Sequence, residues 1–338
     1  MSVQFSVIVP TYNRADLLPF TLDAIARQTL SAAEIIVVDD GSTDGTRGVV
    51  ARYGDAIRYL RVANGGAPAA RNAGVRLSSS RWLAFCDSDD LWRCDHLAKL
   101  SRAIEATPQA AFAFANFVHV IDDRWQERTK FDQAPPGYWQ RLGIGRTGGL
   151  AVIHRPIYPD LLAFQPVFPS CIAVSRAYFD KMGGFDPRFA REVSEDMEFT
   201  LRCNREERPV GVVLDATVGI RKHGGNISGD ALSRACSEIR ILRFARDSHR
   251  PTRSWSRLID DQIALRSSAA IHGAFTAGRL DLVRELSANI PYRRRSWKIW
   301  LKLGLASLPR PAARSLSSAA AGLGRLKSLR APQPSAKA

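Results

Sequence analysis

Short, largely apolar runs alternate with helical periodicity over the first 120 residues. Phe5 to Val9, Glu34 to Asp39, Ile57 to Arg61 and Trp82 to Cys86 have the length and β-rich composition of strands covered on both faces, and Ala111 to Ile121 gives a longer fifth. Between them the spacing predicts helices near Ala15 to Gln28, Gly45 to Tyr53, Pro68 to Ser78 and Asp95 to Ala106. This alternation predicts an α/β domain with a mostly parallel central sheet flanked by helices.

The period breaks between Asp122 and Pro169, where Pro135-Pro136-Gly137, Gly143, Gly145, Gly148-Gly149, Pro156 and Pro159 interrupt it. We read this stretch as a long, variable excursion. Regular structure resumes with a strand near Cys171 to Val174, a helix near Ser194 to Arg205 and a strand at Val210 to Asp215. The chain thus divides into a domain over 1–230, a helical extension over 231–290 and a basic amphipathic tail over 291–338, its end disordered.

Composition changes the picture in one place. The formal charge is +15, but eleven Lys or Arg and no Asp or Glu fall between residues 290 and 338, which leaves +4 for the rest. The excess belongs to a tail with an anionic partner, a membrane surface or nucleic acid, and not to a basic fold. Five scattered cysteines with no C-x-x-C pair read as reduced thiols of a cytoplasmic protein. The first residues run straight into a strand, so neither a leader nor an N-terminal anchor is expected, and no window has the apolar length of a membrane span.

Chemistry concentrates where the strands end. Asp87-Ser88-Asp89-Asp90 places three carboxylates directly after an apolar strand. Such a cluster either takes a divalent cation or basic ligand, or forms a solvated turn with Asp90 capping a helix that starts near Leu91. Pro10-Thr11-Tyr12-Asn13-Arg14, Asp39-Asp40-Gly41-Ser42 and Asn64-Gly65-Gly66 would gather along the same rim, where open α/β sheets bind ligands. Carboxylates, an arginine and glycine turns together suit a nucleotide, and neither a G-x-G-x-x-G nor a P-loop is present.

The runs Ser6 to Arg14, Ile35 to Asp44 and Asp87 to Asp90 closely resemble family 2 glycosyltransferases of the GT-A fold. Ala70-Arg71-Asn72-Ala73-Gly74, Gly183-Gly184-Phe185-Asp186 and Ser194-Glu195-Asp196-Met197-Glu198-Phe199 follow in order, and the resemblance covers about residues 3 to 228. It implies an inverting transferase that moves a sugar from a nucleotide-diphospho-sugar, a UDP-sugar foremost, to a glycan or lipid-linked acceptor in polysaccharide, glycolipid or cell-surface glycan synthesis. By the same resemblance Pro10, Thr11, Tyr12, Arg14, Asp40, Arg71, Asp87 and Ser88 bind the donor. Asp89 with Asp87 would hold Mn²⁺ or Mg²⁺, and His223, with the cations and glycines of the turn Arg221 to Ser228, suits a diphosphate or a third metal ligand. Asp196 matches the base that takes the acceptor proton. Gly184, Phe185 and Glu195 fall on the acceptor and sugar side. A nucleotidyltransferase, or a non-catalytic nucleotide-sugar-binding protein, is the alternative.

In the tail, helical spacing puts Trp297, Trp300, Leu301 and Leu308 on one face beside Lys298 and Lys302. This pattern fits peripheral docking on an anionic membrane through 292–330, or a helix that packs on the catalytic domain.

Overall fold

The computed structural model describes residues 3–145, 149–223 and 230–307. The chain forms two compact units, Met1–Gly229 and Asp230–Ala338.

The first unit begins with the expected alternation: β1 (Phe5–Thr11), α1 (Leu18–Ala26), β2 (Glu34–Asp39), α2 (Thr46–Ala51), β3 (Arg58–Arg61), α3 (Ala67–Leu77) and β4 (Trp82–Phe85). Then come β5 (Leu91–Trp92), α4 (His96–Glu105), β6 (Phe112–Ile121), β7 (Arg124–Trp125), α5 (Tyr138–Arg141), β8 (Leu150–Ile153) and α6 (Tyr158–Ala163). It ends with β9 (Ile172–Ser175), α7 (Arg176–Met182), α8 (Glu195–Cys203) and β10 (Val210–Lys222).

One sheet runs in the order β3-β2-β1-β4-β9-β6-β10-β5, with β7 on β6 and β8 on β10. The strands β3, β2, β1 and β4 pair in parallel, as the alternation predicts. Beyond them the sheet is mixed, because β9 enters antiparallel between β4 and β6. The sequence could not show this, since direction depends on which edge a returning segment meets. All seven residues of β1 are buried. Its side chains feed one core with Leu18, Leu22, Leu97 and Leu100. On the other face Ile36 and Val38 pack with Ala70 and Ala73 of α3. A Cβ on Gly74 would come within 2.5 Å of Ile8 Cγ2, so this glycine lets α3 lie close on the strands.

Two elements depart from the sequence reading. The chain after Asp90 enters β5, which pairs antiparallel with β10, and α4 starts only at His96. Asp90 therefore caps no helix. The last strand runs on to Lys222 instead of stopping at Asp215, its register with β6 shifting between Val213 and Val218. That irregularity lets one strand pass an exposed stretch and carry Arg221 back to the rim.

The segment 122–169 is more ordered than its prolines and glycines predict. Its strand β8 joins the sheet through β10. The rings of Phe131 and Trp139 meet at 4.2 Å, and the Trp139 indole donates to the Phe131 carbonyl at 3.0 Å. Aromatic burial supplied what periodicity did not show.

The second unit comprises α9 (Ala231–Ser248), α10 (Arg253–Thr276), α11 (Leu280–Ala288) and α12 (Trp297–Ala306). Asp230 accepts from the Leu232 and Ser233 amides at the start of α9, and Thr252 from Trp255 at the start of α10. The α10 helix packs on α9 and α11, and α12 lies on α10 and α11. Among the described residues no helix is long and apolar enough to cross a membrane.

Candidate functional site

Parallel pairing of β1 with β2 and β4 brings their C-terminal ends together. The Asp40 amide donates to the Thr11 carbonyl at 2.8 Å. Asn13, in the left-handed region at φ 50°, receives the Thr43 amide on Oδ1 at 2.7 Å, and its own amide donates to Ser42 Oγ at 2.9 Å. The two loops are therefore one stitched surface. Closing the second turn falls to Asp39, whose Oδ1 accepts from the Ser42 amide at 2.7 Å. This releases Asp40, whose carboxylate reaches across to the amides of Gly65 and Gly66, each at 2.8 Å.

The rim encloses a cavity of about 540 Å³, lined by Pro10, Thr11, Tyr12, Arg14, Asp40, Arg71, Asp87, Ser88, Asp89 and Glu195 among others. All eight residues expected to bind a donor thus share one wall. At its floor Arg71 is 2% exposed and donates to Asp87 Oδ1 at 2.7 Å and Glu195 Oε1 at 2.9 Å. Three segments far apart in sequence meet at that guanidinium. Its two carboxylate partners hold it above the ordinary arginine range, against the opposing effect of burial. Two buried polar atoms in this wall, Thr11 Oγ1 and Arg71 Nε, have no hydrogen-bond partner.

At the start of α8, burial and then the adjacent Glu195 carboxylate push Asp196 up to about 8. Burial also raises Glu195, against the pull of Arg71. The two acids divide: Glu195 faces Arg71 and lines the cavity, and Asp196 follows it at the start of α8 without lining the cavity. Behind them Met197 and Phe199 are buried, anchoring the helix.

The acidic turn is held from below. Asp90 is buried, accepting from Ser170 Oγ at 2.5 Å and from the Arg221 amide at 3.2 Å. Burial, with Asp89 and Asp87 adding to it, drives its carboxyl well above the usual range. Ser170 Oγ in turn accepts from the Asp87 amide at 3.0 Å. Asp90 is thus a buttress for the turn, and the expected helix cap is corrected. Above it, His223 Nε2 lies 3.0 Å from Asp89 Oδ2 and Arg14 Nε lies 3.8 Å from the same oxygen. Among the described residues no three His, Cys, Asp or Glu side chains form a ready-made metal cage. Asp89 on the cavity wall and the adjacent His223 imidazole could supply two ligands to a divalent ion. The rest of the His223 turn, residues 224–228, lies outside the described residues.

Gly184 and Phe185 lie beneath Arg71. Phe185 is 1% exposed, with Phe199 at 4.1 Å and Phe85 at 5.2 Å, and Arg71 Cζ lies 5.1 Å from its ring centroid. Asn72 clamps its backbone, accepting from the Phe185 amide at 2.9 Å and donating to its carbonyl at 2.7 Å. A Cβ on Gly184, at φ +70°, would fall 2.7 Å from Asn72 Oδ1. This turn holds the floor under Arg71. Ala190, Glu192 and Val193 complete the cavity wall without having been expected there. Ala190 has a structural signature, since a Cβ on Gly66 would meet its Cβ at 2.7 Å.

Comparison with known proteins agrees with this geometry. Residues 6–162 match the model of glycosyl transferase family 2. The chain is 31% identical over 253 residues to validoxylamine A glucosyltransferase of Streptomyces hygroscopicus subsp. jinggangensis, covering 66% of this chain and 57% of that protein. It is 29% identical over 204 residues to a PGL/p-HBAD biosynthesis glycosyltransferase of Mycobacterium tuberculosis, covering 59% and 69%. The chain spans little more than half the length of the first of these relatives. The crystal structure of S. aureus TarS 1-349 in complex with UDP-GlcNAc superposes with a TM-score of 0.62 at 18% identity, covering 96% of this chain and 92% of that one, a likeness of fold. With the motifs in order and the rim assembled as they require, residues 6–162 form a glycosyl transferase family 2 domain and the chain has the GT-A fold.

Proposed function

We propose that this protein transfers a sugar from a nucleotide-diphospho-sugar, a UDP-sugar, to a hydroxyl of a glycan or lipid-linked acceptor with inversion. The observation that carries the reading is Arg71, which gathers Asp87 of the acidic turn and Glu195 of α8 at the floor of one cavity. Thr11 and Asp40 offer acceptors to the base and ribose, Tyr12 an exposed ring, and Arg14 and Arg71 positive charge toward the phosphates. Asp89, with Asp87 and His223, would hold Mg²⁺ or Mn²⁺, which supplies Lewis-acid stabilisation of the diphosphate leaving group. Asp196 takes the proton of the acceptor hydroxyl as its oxygen bonds to the anomeric carbon. The bond from that carbon to the diphosphate breaks on the opposite face, and its electron pair leaves with the nucleotide. A base held at about 8 has a proton affinity matched to near-neutral catalysis. The second relative's name places it in glycolipid-type biosynthesis, and TarS is seen with UDP-GlcNAc; both support the reading of donor and acceptor.

The test is a thermal-shift screen of UDP, GDP and dTDP and their sugars with Mn²⁺, repeated on Asp89→Ala. A uridine nucleotide should stabilise the wild type, and the variant should lose most of the metal-dependent part. Stabilisation without donor turnover in any acceptor mixture would sink the transfer reading, and an undiminished response of Asp89→Ala would sink the metal assignment.

A further inference from the structure

The helix α12 is apolar on two faces. Ile299 and Ala306 are buried where it meets α10 and α11, and Arg284 of α11 donates through Nε to the Ala306 carbonyl at 3.1 Å. On the opposite side Trp297 is 70% and Leu301 54% exposed. Just before the helix Tyr292 is 74% exposed, its ring edge-on to Trp300 at 4.8 Å. A soluble helix places charge opposite its buried stripe, so one with Trp and Leu there has a second partner.

The charge around this face says what that partner is. Arg295 Cζ lies 5.0 Å from the Trp300 ring centroid and Lys298 Nζ 5.8 Å from that of Trp297. Lys298 and Lys302 stand one turn apart, and burial together with Lys298 holds Lys302 below the ordinary lysine range. Arg294 pairs with Asp261 of α10, but no acidic residue occurs from residue 290 onward, while basic residues continue to Lys337. A second copy of the same face would set cations against cations. Nucleic acid would use the cations and leave Leu301 in water. Tryptophan and leucine bordered by cations fit a surface that is apolar within and anionic at its edge.

We propose that Tyr292, Trp297 and Leu301 seat this unit on an anionic lipid bilayer, with Arg293, Arg295, Lys298 and Lys302 against the lipid phosphates. The inference stands apart from the donor chemistry. It is tested with the full chain by co-sedimentation with vesicles of phosphatidylcholine alone or with phosphatidylglycerol added. The wild type should partition onto the anionic vesicles and little onto the neutral ones. Lys298→Gln/Lys302→Gln should lower the low-salt partition by about five-fold per charge removed. Trp297→Ser/Leu301→Ser should lower it about ten-fold or more at every salt concentration, with circular dichroism and nucleotide-induced thermal shift unchanged. Equal binding to both vesicle types, or to neither, overturns the proposal. So does tighter binding to duplex oligonucleotide than to anionic vesicles, or a concentration-dependent dimer that Trp297→Ser/Leu301→Ser dissociates.

Discussion

Replacing Arg71 by Met removes the cation at the floor of the site while nearly keeping its volume, and the structure sets the cost. The guanidinium is buried and makes two charge-assisted hydrogen bonds, at 2.7 Å to Asp87 and 2.9 Å to Glu195. Its loss leaves two carboxylates facing each other without a counter-charge. Breaking a buried pair in this way costs about 3–5 kcal/mol. For a unit of this size each kcal/mol is about 2–4 °C, so the melting temperature should fall by roughly 6–20 °C. The penalty depends on pH with a definite sign. Without Arg71 the Glu195 carboxyl, already raised by burial, rises further above its unfolded value near 4, so the folded variant binds more protons than its unfolded chain between that value and the raised one. Its stability is then fuller at low pH and declines as pH climbs through that window. At about pH 5 the loss should shrink toward the roughly 1–3 kcal/mol of unmade hydrogen bonds. Urea melts of wild type and Arg71→Met at about pH 5 and about pH 7.5 measure both numbers. A loss below about 1 kcal/mol at the higher pH, or one equal at the two, refutes the reading of Arg71 as the cation that permits these acids to sit together.

Other outcomes follow from the same geometry. Asp196→Asn should lower kcat by about 10²–10⁴-fold with donor affinity unchanged, measured by nucleotide release and by calorimetry. In the wild type kcat/KM should rise with pH to a half-maximum near 8, since the base works only once its proton has left; a profile flat from about pH 5 upward would contradict the role. Ser170→Ala removes the donor to Asp90 and the acceptor of the Asp87 amide, and should cost about 1–3 kcal/mol in urea melts. Gly74→Ala gains about 1 kcal/mol of helix propensity but drives a methyl into Ile8, so a net loss is expected. A stabilised Gly74→Ala would show that α3 can lift off β1 at little cost.

The sequence fails where side chains answer to distant partners. Asp90 stands beside the carboxylates of Asp87 and Asp89 and has the residue type of a helix cap, so local reading gave it that role. Ser170, 80 residues on, and Arg221, 131 residues on, make it a buried support. Phe185 sits in a motif that resembles an acceptor-side element, and its burial against Phe85 and Phe199 beneath Arg71, with the Asn72 clamp, was not legible in that motif. The sheet beyond β4 was equally hidden, because the strand that enters antiparallel is as apolar as one that enters parallel.

Local physics settled the rest before any fold was known. The spacing of apolar runs determined the four parallel strands and their helices, since a strand covered on both faces has few other ways to be written. Parallel order then forces the loops after β1, β2 and β4 onto one rim, which is why the residues from Pro10 to Asp89 that line one cavity were legible as a group. Tertiary structure alone decided which acids pair and which stay protonated, because burial and the placement of one buried cation, Arg71, are properties of the packed core. It also decided that α12 keeps a tryptophan face outward: periodicity marks a helix as apolar, and packing determines which apolar face is already taken.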